Sequence, residues 1–175
     1  PVQTVAVIGG GTMGSGVALT VVTNAMNCIV VDINDAQLET ARAYHKKQLD
    51  RSVSKERMTQ SEANEAQARI SYVSQMSEAA DADWAIEAAT ENVDIKKSIF
   101  SQMHETFRDD VVLATNTSSI SITDLASNVH GAESRVIGMH FFNPVPVMKL
   151  VEVIMGKETS DETTSATIAL AEAMG

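Results

Sequence analysis

Three observations predict an α/β fold built on a doubly wound, mainly parallel sheet. Apolar, β-branched runs alternate with helical patterns along the 175 residues, strand then helix, the rhythm of βαβ units. Several runs are continuously apolar, as parallel strands buried on both faces have to be. A glycine-rich turn, Gly9-x-Gly11-x-x-Gly14, lies where the first run gives way to the first helical pattern. The length is one domain's worth of material, so residues 1–175 read as a single unit.

Taken in order, strands are predicted at Thr4–Ile8, Cys28–Asp32, Ile70–Ser74, Trp84–Glu87, Val111–Ala114, Val136–Met139 and Leu150–Ile154. Helices fill the intervals. Met13–Thr23 opens from the glycine turn, and Ala36–Val53 and Ser61–Ala68 follow the second strand. Val93–Thr106, Ile122–Val129 and Asp161–Met174 complete the set. The interval Ile33–Arg69 holds 37 residues, far more than a normal crossover. Its two helices are therefore expected to project as a helical-hairpin insertion, residues 33–69, after the second strand. No internal repeat or low-complexity linker interrupts the pattern.

Composition removes several classes of function. Apolar residues make up 44% and charged residues 21%, an ordinary globular balance that excludes a disordered or collagenous chain. No apolar run reaches the ~18–20 residues of a membrane helix. The N-terminus enters an apolar run without a basic region, so it does not read as a signal peptide. The single cysteine, Cys28, excludes an internal disulfide and fits a reducing, cytoplasmic compartment. A net charge of −10 and only 4% aromatic residues disfavour nucleic acid as a partner. No metal site is expected.

The glycine turn carries chemistry because of its context. Gly9 allows a tight turn, Gly11 lets the backbone approach a pyrophosphate, and Gly14 lets helix and strand pack closely. The helix N-terminus supplies free N–H groups and positive potential. Asp32 ends the second strand 18 residues after Gly14, near the ~20 expected of the acid that binds an adenosine ribose. An acid here repels a 2′-phosphate, so NAD is preferred to NADP. FAD uses the same fingerprint, and the glycines alone do not separate the two.

Charge is distributed unevenly. Arg42, Lys46, Lys47, Arg51, Lys55 and Arg57 fall within 16 positions and are opposed only by Asp50 and Glu56, so the stretch is +4 and the remainder −14. Lys47, Arg51 and Lys55 share one helix face. An anionic ligand approaching an acidic protein needs such a patch; a solvated helix face is the other reading.

Three strand ends in the second half carry polar residues. Glu91 and Lys96 follow the fourth strand, where this topology faces a cofactor, or they are the ordinary charges of a helix start. The hydroxyl run Thr115-Asn116-Thr117-Ser118-Ser119 can bind a substrate oxygen, although helix capping is the commoner use of such residues. His140 precedes Asn143-Pro144-Val-Pro146, and Glu152 lies 12 residues on in an otherwise apolar strand, which is costly unless the acid is partnered. A His–Glu pair is the natural solution: the acid holds the tautomer and the imidazole acts as base near neutral pH. A structural hydrogen bond is the alternative.

These residues resemble the L-3-hydroxyacyl-CoA dehydrogenases, including the 3-hydroxybutyryl-CoA dehydrogenases. The matching blocks are Val7-Ile-Gly-Gly-Gly-Thr-Met-Gly-Ser-Gly16, Ile86-Glu-Ala-Ala-Thr-Glu91, Thr115-Asn-Thr-Ser-Ser-Ile-Ser-Ile122 and Val136-Ile-Gly-Met-His-Phe-Phe-Asn-Pro-Val-Pro-Val-Met-Lys-Leu-Val-Glu-Val153. The resemblance implies a Rossmann-like domain with NAD held at Gly9, Gly11, Thr12, Met13, Gly14, Asp32, Glu91, Lys96, Ser118 and Asn143. It implies His140 as catalytic base, Glu152 as its acidic partner, Ser118 as ligand of the substrate oxygen and Asn143 beside the cofactor. Lys55 and Arg51 of the hairpin would contact the CoA carrier, with Ser118 also on the substrate. The implied reaction is reversible oxidation of an (S)-3-hydroxyacyl-CoA. The family continues into a last strand and a helical C-terminal domain that closes the acyl pocket and makes a homodimer. Neither is present here, where the sequence stops at a helix-like run with a cap-like Gly175. The expectation is thus a chain cut before its last strand, with two alternatives: an NAD(H)-binding module with little turnover, or a relative acting on a non-CoA hydroxy acid.

Overall fold

The structure is a computed structural model and describes residues 2–117 and 120–174. Its centre is a seven-stranded sheet: β1 (Thr4–Ile8), β2 (Asn27–Val31), β3 (Ile70–Val73), β4 (Trp84–Glu87), β5 (Val112–Thr115), β6 (Val136–Phe141) and β7 (Val151–Met155). The spatial order is β3-β2-β1-β4-β5-β6-β7. The first six strands run parallel, and β7 returns antiparallel along β6. The order reverses direction between β1 and β4, the switch point where such sheets open a crevice.

Helices cover both faces: α1 (Thr12–Thr23), α2 (Asp35–Ser54), α3 (Gln60–Ala68), α4 (Val93–Thr106), α5 (Ile122–Ala126) and α6 (Asp161–Ala173). Period-two alternation in β1 divides the core. Val5 and Val7 enter the cluster under α1, α2 and α6, while Ala6 and Ile8 enter the one under α4 and α5. Helix starts are chemically marked. Asn34, Asn92, Ser121 and Ser160 accept from the third backbone N–H of their helices, and Thr59 forms a reciprocal capping box with Glu62.

The hairpin expected at residues 33–69 is formed by α2 and α3. Its first helix presents a buried stripe of Leu38, Ala41, His45 and Leu49. His45 is the polar member and is fully buried. Its Nε2–H donates to the Ser15 carbonyl of α1 at 2.8 Å, so Nδ1 accepts from the Tyr72 hydroxyl of β3 at 2.6 Å.

Boundaries differ from expectation in informative places. Strand β6 runs on through His140 to Phe141, so the histidine is inside the strand rather than in the loop after it. Helix α5 stops at Ala126, three residues before the expected Val129. The Gly175 cap lies outside the described residues. Among the described residues, no helix is long and apolar enough to cross a membrane.

Candidate functional site

Sterics build the glycine turn. Gly9 has φ +117°, and a Cβ there would lie 2.8 Å from the Ala88 backbone, so both its conformation and its neighbour demand glycine. A Cβ on Gly14 would lie 1.9 Å from the Gly9 carbonyl oxygen. Helix α1 therefore sits directly on the turn. At Gly11, by contrast, a Cβ would meet no backbone, only Gln37 Nε2 at 3.8 Å. The first turn of α1, at Thr12 and Met13, has backbone N–H groups without helical partners and no acid beside them. A pyrophosphate fits this cradle of unfilled glycine surface and positive helix end.

Asp32 lies just past β2. Its two carboxylate oxygens accept from Gly10 N at 2.8 Å and Asn34 N at 2.9 Å. It lines a cavity of about 640 Å³ together with Gly9, Ile33, Thr90, Ile95 and Ile99. Ile33 is 92% exposed at the rim. Such apolar walls beside an anchored carboxylate suit an adenosine, with the acid toward the ribose. Ile33, Ile95 and Ile99 were not anticipated from the sequence; an exposed isoleucine next to Asp32 is the signal that could have found them.

The ends of β4 and β5 hold a buried polar cluster. Glu87 is fully buried. One of its oxygens accepts from Lys96 Nζ and, at 2.8 Å, from Thr115 Oγ1; the other accepts from Ala89 N at 2.8 Å. Lys96 is 1% exposed, so its ammonium is held inside the fold by Glu87. Glu91 accepts from Thr117 Oγ1 at 3.1 Å. Asn116, also buried, accepts from Phe141 N at 2.8 Å and so ties the β5 end to the residue after His140. Helix α5 is capped by Ser121, whose hydroxyl accepts from Asp124 N. Ser118 lies outside the described residues. Glu87 and Asn116 carry no role in the sequence reading, although an acid ending a continuously apolar strand was a signal for Glu87.

His140 and Glu152 stand opposite each other in the antiparallel β6–β7 register. Nδ1 of His140 lies 3.0 Å from Glu152 Oε1. A carboxylate only accepts, so Nδ1–H donates and the neutral ring keeps its lone pair on Nε2. Contrary to expectation, Glu152 is not buried: its side chain is 56% exposed on the last strand of the described sheet. The His140 side chain is 20% exposed, and its ring packs on Phe142 at 4.6 Å. Asn143 is exposed in the loop that follows.

The basic stretch stands apart from these strand ends. Arg42 pairs with Glu39 and Lys46 with Asp50. Among the described residues no ion pair engages Lys47, Arg51, Lys55 or Arg57, and Arg51 and Lys55 are exposed at the C-terminal end of α2. No group of three or more metal-ligating side chains occurs among the described residues.

Comparisons with known proteins converge. A sequence model of the family described as 3-hydroxyacyl-CoA dehydrogenase, NAD binding domain, matches residues 4–175. A probable 3-hydroxybutyryl-CoA dehydrogenase of Bacillus subtilis is 42% identical over 99% of this chain and 60% of its own length. The crystal structure of (S)-3-hydroxybutyryl-CoA dehydrogenase from Ralstonia eutropha superposes with a TM-score of 0.96 at 44% identity, covering 100% of this chain and 62% of that one. That of 3-hydroxybutyryl-CoA dehydrogenase from Escherichia coli gives 0.97 at 39% identity, covering 100% of this chain and 37% of the other. The chain thus spans 62% or less of the length of these relatives.

Proposed function

The chain belongs to the 3-hydroxyacyl-CoA dehydrogenase family, as its NAD-binding domain, and from that premise we propose that the protein carrying it reversibly oxidises (S)-3-hydroxyacyl-CoA to 3-oxoacyl-CoA. The His140–Glu152 pair carries this reading, because it provides an oriented base at one end of the strand-end crevice whose other end is the glycine turn.

NAD, when bound, accepts the hydride from C3 of the substrate. The turn Gly9–Gly14 with Thr12 and Met13 would hold its pyrophosphate, Asp32 its adenosine ribose, and Glu91 and Asn143 its nicotinamide side, while Lys96 stays buried on Glu87. His140 Nε2 takes the proton of the substrate hydroxyl as the C3–H bond breaks. The Glu152 carboxylate stabilises the imidazolium that results and keeps Nε2 aimed outward. Ser118 would hold the substrate oxygen as its charge changes. Arg51 and Lys55, in no ion pair among the described residues, would receive the anionic carrier, which favours a CoA substrate over a small hydroxy acid.

NADH oxidation with acetoacetyl-CoA tests the reading in the full-length protein. Turnover is expected there and weak or absent in the 175-residue chain, where Glu152 is open to water. No turnover with any 3-oxoacyl-CoA in the full-length protein would overturn the substrate assignment. Full turnover by the 175-residue chain would instead show that an exposed Glu152 does not limit the reaction.

A further inference from the structure

We propose that Glu87 sets the relative affinity of this site for oxidised and reduced nicotinamide dinucleotide, by neutralising the Lys96 cation buried beneath it. The proposal rests on the NAD reading above and deepens it.

Position comes first. The glycine turn follows β1 and His140 lies near the end of β6, with β4 and β5 between them. A cofactor whose phosphates sit on the turn and whose reactive ring meets His140 must cross the ends of β4 and β5. The strand-end layer is continuous there. Ala88 N donates to the Ile8 carbonyl at 2.8 Å, Asn116 N to the Glu87 carbonyl at 2.9 Å, and Phe141 N to Asn116 Oδ1 at 2.8 Å. Glu87 occupies the middle of this layer, and Ala89, which donates to its carboxylate, packs on Gly9.

The charges come second. Glu87 and Lys96 are 0% and 1% exposed and bonded to each other, so water screens neither. Thr115 Oγ1 and Ala89 N complete the carboxylate's partners. A buried pair of this kind is only weak evidence for stability, whereas its electrostatic effect on a ligand above it is direct. Hydride transfer converts the nicotinamide ring from a cation to a neutral ring. A balanced ion pair treats the two forms almost alike; a lone cation in its place disfavours the oxidised form, and a lone anion favours it. Glu87 does not need to touch the cofactor to act in this way. It is a positioning residue that works through Lys96.

The test is the ratio of NAD⁺ to NADH dissociation constants, measured by calorimetry in the full-length protein. A general loosening of the site weakens both and leaves the ratio unchanged, so a purely structural role gives no signal. Glu87→Gln should shift the ratio about tenfold toward NADH, and Lys96→Met should shift it toward NAD⁺. The double variant E87Q/K96M should return to within about twofold of wild type. Lys96→Met leaves Glu87 with its Thr115 and Ala89 donors and carries the sign test alone if Glu87→Gln does not fold. Unchanged ratios in the single variants, or shifts of the same sign, would overturn the proposal. Failure of the wild-type protein to bind either dinucleotide would overturn the cofactor reading instead.

Discussion

The two sides of the crevice are made by opposite means. Around β1 and β2 the site is shaped by what cannot fit. Gly9 and Gly14 have backbone where a Cβ would stand, and Asp32 is pinned by two backbone N–H groups. Around β6 and β7 it is made by pairing. His140 meets Glu152 only because antiparallel register sets them opposite, and the acid stays half in water. Shape governs one side and alignment the other. Changes on the first side should alter which dinucleotide binds and how well; changes on the second should alter turnover while binding stays nearly constant.

The largest expected effect tests that division directly. In the full-length protein His140→Gln should lower kcat by about 10³-fold, the scale of general base catalysis, with NADH affinity within about twofold of wild type. A parallel loss of both would show that the two sides are not separable. On the nucleotide side, Asp32→Ala should reduce the preference for NAD over NADP by about 30-fold, roughly 2 kcal/mol of lost discrimination. An unchanged preference measured with the two cofactors would remove its ribose role.

The hairpin belongs to neither side and offers a smaller effect. Replacing Arg51 and Lys55 together by glutamate should raise KM for the acyl-CoA about tenfold and leave NADH affinity alone. Exposed charges are screened by salt, so the penalty should shrink between low and high ionic strength; a penalty indifferent to salt would argue against electrostatic docking. The smallest effect concerns His45. Burial holds its imidazole below the ordinary range, against the opposing bond to the Ser15 carbonyl. The unfolded chain therefore binds more protons between that depressed pKa and about 6.5. Stability is full above this window and declines as pH falls through it. Thermal melts should show a drop of about 2–4 °C across the window, and His45→Leu should flatten that part of the profile.

What the sequence disclosed follows the same division. The glycine spacing was legible because it reports a steric rule that holds wherever a strand turns into a helix. The hairpin was legible because its interval is too long for an ordinary crossover. The histidine and its acid could be paired by chemistry, but the reason first given was burial, and Glu152 proved exposed. An acid in an apolar run looks buried until the strand is known to lie beside only β6. The strand expected to end at Met139 is carried by the ladder with β7 through Phe141. Lys96 was read as reaching toward a ligand. Its partner Glu87, nine residues earlier, becomes visible only when α4 folds back over the end of β4.

The pairing of β1 with β4 also bears on how the molecule assembles. Val5 lies beside Trp84, and Gly9 against Ala88. The two walls of the nucleotide crevice are thus nearly eighty residues apart along the chain. The β1-α1-β2 unit can close early, through local contacts, but it has only one wall of the crevice. Closing so long a loop is entropically slow to be rewarded. During synthesis the cofactor can therefore help stabilise the fold only after β4 has left the ribosome. Before that point the hairpin packs mainly on α1 and β3.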